Sequence, residues 1–163
     1  MRNEIDKLSR LVNDALRRRG LTLAVAESCT GGGIAAAITS VPGSSDIFNG
    51  GVVAYSNEVK NNLLSVSVED LCRYGAVSEA VVRQMALGVA TIMHASCAIA
   101  TSGIAGPGGG TAEKPVGTVW TAFLLNGVVK TCKLNLEDRG RKENTESAIL
   151  ETIKIFHSLL CDN

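Results

Sequence analysis

Two short apolar segments of this chain run straight into glycine-rich turns, and this recurrence restricts the fold more than any other feature. The first reads Ala24-Val25-Ala26-Glu27-Ser28-Cys29-Thr30-Gly31-Gly32-Gly33. The second reads Ala98-Ile99-Ala100-Thr101-Ser102-Gly103-Ile104-Ala105-Gly106-Pro107-Gly108-Gly109-Gly110. Glycine lets a backbone approach a ligand closely and take up positive φ. Hydroxyl side chains beside it add hydrogen-bond donors. At the ends of neighbouring strands, two such turns form one polar cradle for an anionic small molecule such as a phosphate ester.

Periodicity supplies the elements around the turns. Ile5, Leu8, Leu11, Val12, Ala15 and Leu16 share one face of a helix over residues 4–19, which Gly20 ends. A strand is predicted from Leu21 to Ala26, and a helix from the Gly31–Gly33 turn through Ile38, broken at Pro42-Gly43. Val52 to Tyr55 reads as a second strand, and Asn57 as the cap of a short helix carrying Val59, Leu63 and Leu64. Ser78 caps a longer helix to about His94, and Cys97 to Ala100 is a third strand. Asn126-Gly127 between the apolar runs 116–125 and 128–136 is a strong hairpin signal, so these two strands are antiparallel. A last helix covers about 141–160. Early alternation of strand and helix followed by a hairpin predicts a three-layer α/β/α sandwich with a mixed sheet, as one domain over 1–163.

Composition narrows the function. Sixteen Lys and Arg balance sixteen Asp and Glu, so the chain lacks the cationic excess of a duplex-binding surface. Aromatic residues make up only 4%, too few for base-stacking platforms. Nucleic acid and membrane are therefore not expected partners, since no stretch reaches the ~20 apolar residues of a membrane span. The five cysteines are odd in number and scattered, with no Cys-x-x-Cys, which points to a reducing, cytoplasmic setting and no zinc knuckle. His94 and His157 lie far apart without ligand-spaced neighbours, so no metal is expected.

Several residues could carry chemistry. Asn57 as cap puts Lys60 in the first turn of a helix, where the dipole disfavours an ammonium and lowers its pKa. A lysine made partly neutral can serve as general base for a serine hydroxyl. Ser45 in Gly43-Ser44-Ser45 is the candidate nucleophile, and Tyr55 can relay or hold the proton. An exposed lysine and a sheet-edge tyrosine are the plainer alternative. Cys29 is a nucleophile by position only, with no histidine near it in sequence. Arg139 can offer a bidentate fork to phosphate or carboxylate.

Taken together, Ala26-Glu27-Ser28-Cys29-Thr30-Gly31-Gly32, Gly51-Val52-Val53-Ala54-Tyr55-Ser56-Asn57-Glu58-Val59-Lys60, Gly75-Ala76-Val77-Ser78-Glu79, Ser102-Gly103-Ile104-Ala105-Gly106-Pro107 and Lys114-Pro115-Val116-Gly117-Thr118-Val119-Trp120 resemble the CinA C-terminal domain family. The resemblance runs over nearly the whole chain from about residue 5. It implies a nicotinamide mononucleotide deamidase of pyridine-nucleotide recycling, releasing nicotinate mononucleotide and ammonia without metal or cofactor. It also implies a homodimer or larger homo-oligomer. Ser45 matches the family's serine nucleophile, Lys60 its base and Tyr55 its assisting tyrosine. Ser28, Thr30, Gly31, Ser102, Gly103, Gly106 and Arg139 are the expected substrate-binding residues: one glycine turn holds the phosphate and the other the amide, either with the phosphate on Thr30 and Gly31 and Arg139 adding charge, or with the two turns reversed. Where many relatives have Gly-Asp-Arg this chain has Glu137-Asp138-Arg139, which sets a further carboxylate beside that arginine. Larger members carry an additional N-terminal domain, and this chain resembles the stand-alone form. A non-catalytic nucleotide-binding module acting through partners in competence or DNA damage is the competing expectation.

Overall fold

The computed structural model describes residues 1–162. Three parallel strands, β1 (Leu23–Glu27), β2 (Phe48–Val53) and β3 (Cys97–Gly103), are followed by an antiparallel hairpin of β4 (Thr118–Leu125) and β5 (Val128–Asn135). The sheet order is β2-β1-β3-β4-β5. Asn126 and Gly127 both take positive φ, the conformation that a tight hairpin needs, and join β4 to β5 as the sequence predicts.

Helices cover both faces of this mixed sheet. On one side lie α1 (Arg2–Arg19), α2 (Gly33–Thr39) and α6 (Arg141–Cys161). Leu16, Ile34, Ile38, Ile153 and Phe156 pack there against Leu23, Val25, Ile99 and Phe123. Phe123 and Phe156 stack with ring centroids 6.1 Å apart. On the other side lie α3 (Asn57–Leu64), α4 (Val68–Tyr74) and α5 (Glu79–Ile92). Val82, Met85 and Val89 of α5 pack there on Ala24, Ala26, Ala98, Ala100 and Ala122. Alanines on this face of three adjacent strands let α5 lie close to the sheet. Burying each large aliphatic side chain contributes roughly 1.5–3 kcal/mol, so the two cores together fix which face of every strand is which.

Local differences from the sequence reading have physical causes. β2 begins at Phe48 rather than Val52, because Gly50 and Gly51 belong to the strand. A Cβ on Gly51 would come within 2.6 Å of the Val25 side chain, so glycine here reflects close strand packing. Tyr55 consequently lies beyond the strand end. Ser56, not Asn57, caps α3, its Oγ accepting the Val59 N–H. β3 continues through Ser102 and Gly103, so the second glycine turn starts later than expected. The helix α4, capped by Ser67, and a single 3-10 turn at Ser44–Asp46 were not anticipated.

One helix contact seats α3 directly. A Cβ on Gly88 of α5 would lie 2.1 Å from the Leu64 carbonyl oxygen. Gly88→Ala adds helix propensity worth up to about 1 kcal/mol. Pushing two backbones apart costs about 1–3 kcal/mol, more than that gain. The expected result is a net loss of stability, read as a melting temperature lower by about 2–6 °C.

Candidate active site

The strand connections set where a ligand can bind. From β1 the chain crosses to β2 on one side, and β3 then lies on the other side of β1. The connections diverge beyond the carboxyl end of β1, which is where open α/β sheets hold ligands. Ser28 is the first residue past that end. Its N–H still donates to the Thr101 carbonyl at 3.0 Å, so the ladder holds its backbone in place.

Side-chain alternation carries Ala24, Ala26 and Ser28 to the α5 side, the side from which α3 delivers Lys60. The Lys60 amine donates to the Ala54 carbonyl at 2.8 Å and lies 3.1 Å from Ser28 Oγ. Lys60 is 1% exposed and among the largest fully buried side chains of the protein. A buried ammonium loses its hydration, so burial pushes the Lys60 pKa below its ordinary 10.5, opposed only by the nearby Cys29. Among the described residues no carboxylate forms an ion pair with it. A neutral amine that donates to Ala54 keeps a lone pair for the Ser28 hydroxyl, the geometry of a general base and its nucleophile.

Cys29 is a weaker candidate nucleophile than Ser28. Burial pushes its thiol up to about 12, with its own backbone N–H acting in the opposite sense. At neutral pH it is a thiol, and only thiolates attack.

Ser45, expected to partner Lys60, lies at the other end of the sheet, and this expectation is corrected. It sits in the exposed turn that precedes β2, whereas Lys60 follows β2. Six strand residues at ~3.3 Å each separate the two by about 20 Å. Around Ser45, Arg17 donates to the Gly43 carbonyl and approaches Asp46.

Most amides of the first turn are already taken, which favours the alternative that the phosphate lies elsewhere. The N–H groups of Gly32, Ile34 and Ala35 already donate to the carboxyl of Glu27, at 3.1, 3.0 and 2.8 Å. Those of Gly31 and Gly33 donate to Ser28 and Thr30 carbonyls. Thr30 is buried, with its hydroxyl 2.8 Å from that of Thr101. Among the described residues the Thr30 amide has no acceptor, and the Cys29 amide meets only its own thiol.

Ser102 is buried on β3, two residues beyond Ala100 and on the same sheet face as Ser28. Gly103 closes that strand in tight packing, where a Cβ would lie 2.7 Å from Val119 and 3.0 Å from Cys29 Sγ. Tyr55, mostly exposed, accepts a hydrogen bond from Arg141, whose other nitrogen donates to the Gly106 carbonyl at 2.8 Å. Arg141 thus ties the end of β2 to the second glycine turn. Arg139 points elsewhere: two of its nitrogens donate to Glu137, at 3.0 and 2.6 Å. Sequence reading passed over Ser28 as nucleophile and Arg141 altogether. Among the described residues no group of three or more His, Cys, Asp or Glu could hold a metal ion, and no helix is long and apolar enough to cross a membrane.

Fold and site define a three-layer α/β protein with a buried serine–lysine pair at the divergence of its strand connections. The model of the CinA C-terminal domain matches residues 5–160, and the chain belongs to that family. It is 52% identical to nicotinamide-nucleotide amidohydrolase PncC of Escherichia coli over 151 residues, 90% of this chain and 92% of that protein. It is 59% identical to a CinA-like protein of Parasynechococcus marenigrum over 137 residues, 83% of this chain. The chain spans about a third of that relative, 33% of its length. The crystal structure of competence/damage inducible protein CihA from Agrobacterium tumefaciens superposes with a TM-score of 0.92 at 40% identity, covering 96% of this chain and 95% of CihA.

Proposed function

We propose that this chain is an amidase that hydrolyses the carboxamide of nicotinamide mononucleotide, with Ser28 as nucleophile and Lys60 as base. The observation that carries the reading is the buried Lys60 amine on Ser28 Oγ, with no carboxylate among the described residues to hold its proton. The likeness to PncC over nine-tenths of both chains supports the substrate.

Lys60 takes the proton of Ser28 as Oγ attacks the amide carbon. The tetrahedral oxyanion forms against the Cys29 and Thr30 amides; among the described residues Thr30 N–H has no other acceptor and Cys29 N–H only its own thiol. Lys60 returns its proton to the leaving nitrogen and ammonia departs. Water, deprotonated by Lys60, then cleaves the Ser28 ester to give nicotinate mononucleotide and free Ser28. Arg141 meets the nucleotide phosphate at the rim beside Tyr55 and the Gly106 turn, a role first expected of Arg139. Ser102 and Gly103 line the opposite wall. The reaction belongs to cytoplasmic pyridine-nucleotide recycling by a single deamidase domain working in a homo-oligomer.

Ammonia release from nicotinamide mononucleotide tests this reading, with free nicotinamide as control. Release from the nucleotide alone is expected, and no release from either rejects it. Arg141→Ala is expected to raise KM by roughly 10–100-fold, the worth of a charge-assisted phosphate contact, with a smaller change in kcat. Steady-state kinetics checks the split.

A further inference from the structure

Glu27 stands directly before Ser28 but faces the opposite layer, and it is 1% exposed. One of its carboxyl oxygens accepts from Gly32 and Ile34, the other from Ala35. Those donors are the N-cap and the second and third residues of α2, a helix with no hydrogen-bonding side chain at its own cap. Between the two ends lies a turn built to be loose. Gly31 and Gly32 both adopt positive φ, at 59° and 94°, and glycine has the most backbone freedom to lose. Within that turn sit Ser28 and the Cys29 and Thr30 amides.

We propose that Glu27 is a positioning residue for the reaction: by joining the end of β1 to the start of α2 it holds Ser28 and the two following amides in line with Lys60. The proposal rests on the reading of Ser28 as nucleophile. Three bonds from one side chain close the turn across its mouth; the other ties are the Gly31–Ser28 and Gly33–Thr30 backbone bonds within the turn and the contacts of the Ser28 N–H and the Thr30 hydroxyl with Thr101, none of which reaches α2 beyond Gly33. Anchoring of α2 does not depend on Glu27 alone, since Ile34 and Ile38 are fully buried beneath it. Loss of the carboxyl therefore frees the turn more than the helix. A displacement of about 1 Å in a reacting group can cost on the order of 100-fold in rate.

The test compares wild type with Glu27→Gln and Glu27→Ala. Gln keeps one acceptor oxygen and turns an NH2 toward a backbone N–H. Ala removes all three bonds. Expected is a kcat lower by about 10–100-fold with KM within about threefold, Ala worse than Gln, at a temperature where each variant is folded by near-ultraviolet circular dichroism. A small aryl sulfonyl fluoride, with the modified residue located by mass spectrometry, reads Ser28 reactivity without the substrate. Its labelling rate is expected to fall in step with kcat, and amide exchange at Gly32, Ile34 and Ala35 to speed up. Folded variants with unchanged kcat and labelling overturn the proposal. So does a Glu27→Gln protein that does not fold, because the role is then structural. If wild-type Ser28 takes no label and Ser28→Ala stays active, the nucleophile assignment itself has failed and the positioning role falls with it.

Discussion

Ser28→Ala is expected to lower kcat for release of ammonia by at least about 10³-fold, the scale seen when a nucleophile is removed from a covalent mechanism. Ser45→Ala is expected to stay within about twofold of wild type, as exposed substitutions usually do. The pair of variants is decisive because the structure separates the two serines so sharply. Ser28 Oγ lies 3.1 Å from the Lys60 amine at the carboxyl end of β1. Ser45 lies at the opposite edge, exposed, in the turn before β2. Removal of one small hydroxyl leaves the cores on both sheet faces intact, so Ser28→Ala should melt cooperatively near the wild-type temperature. A Ser28→Ala protein with full turnover, or a Ser45→Ala protein with none, overturns the assignment.

Lys60→Met keeps the length of the side chain and deletes its amine. It is expected to lower kcat by about 10²–10⁴-fold, the usual contribution of a general base. Lys60→Arg should not rescue, because a guanidinium does not give up its proton in this range. pH supplies the second readout. Burial lowers the Lys60 pKa in the folded protein, so catalysis by the neutral amine should rise with pH along a limb centred below 10.5. The same shift ties stability to pH. Between the lowered folded value and 10.5 the unfolded chain binds more protons at this residue than the folded one, so stability contributed here rises with pH. Below that window Lys60 is protonated in both states and its contribution no longer changes with pH, and Lys60→Met should abolish both dependences. A pH–rate profile and pH-dependent denaturant midpoints check them, and an unchanged acid limb in the Met variant speaks against Lys60 as the base.

Most of the architecture was legible because it rests on local signals. The period of α1, the Asn126-Gly127 turn and the Ser78 cap all gave elements that the structure contains. Lys60 was legible as a perturbed lysine, although burial is the main cause of its shift rather than the dipole of a short helix. Ser45 was the expected partner by residue type and by the family resemblance, and neither says which rim of a parallel sheet a residue reaches. A residue before a strand and a residue after it end on opposite rims, whereas the ends of two parallel strands meet. Lys60 follows β2, so its partner had to follow β1 or β3. Ser28 satisfies this and Ser45 does not. Which of the two glycine turns has amides to spare was not legible, for a different reason. Glycines and a helix start mark amides free to bind an anion only if no side chain reaches them first, and that Glu27 does so depends on tertiary geometry.

Adjacent residues at the end of β1 serve opposite sides of the sheet: Glu27 reaches α2 and Ser28 reaches Lys60. Strand geometry makes that division a matter of parity. An insertion or deletion of one residue within Leu23–Ala26 would exchange the two, sending a carboxyl toward the lysine and a hydroxyl toward the helix. The register at the end of this strand is thus a digital setting for the site.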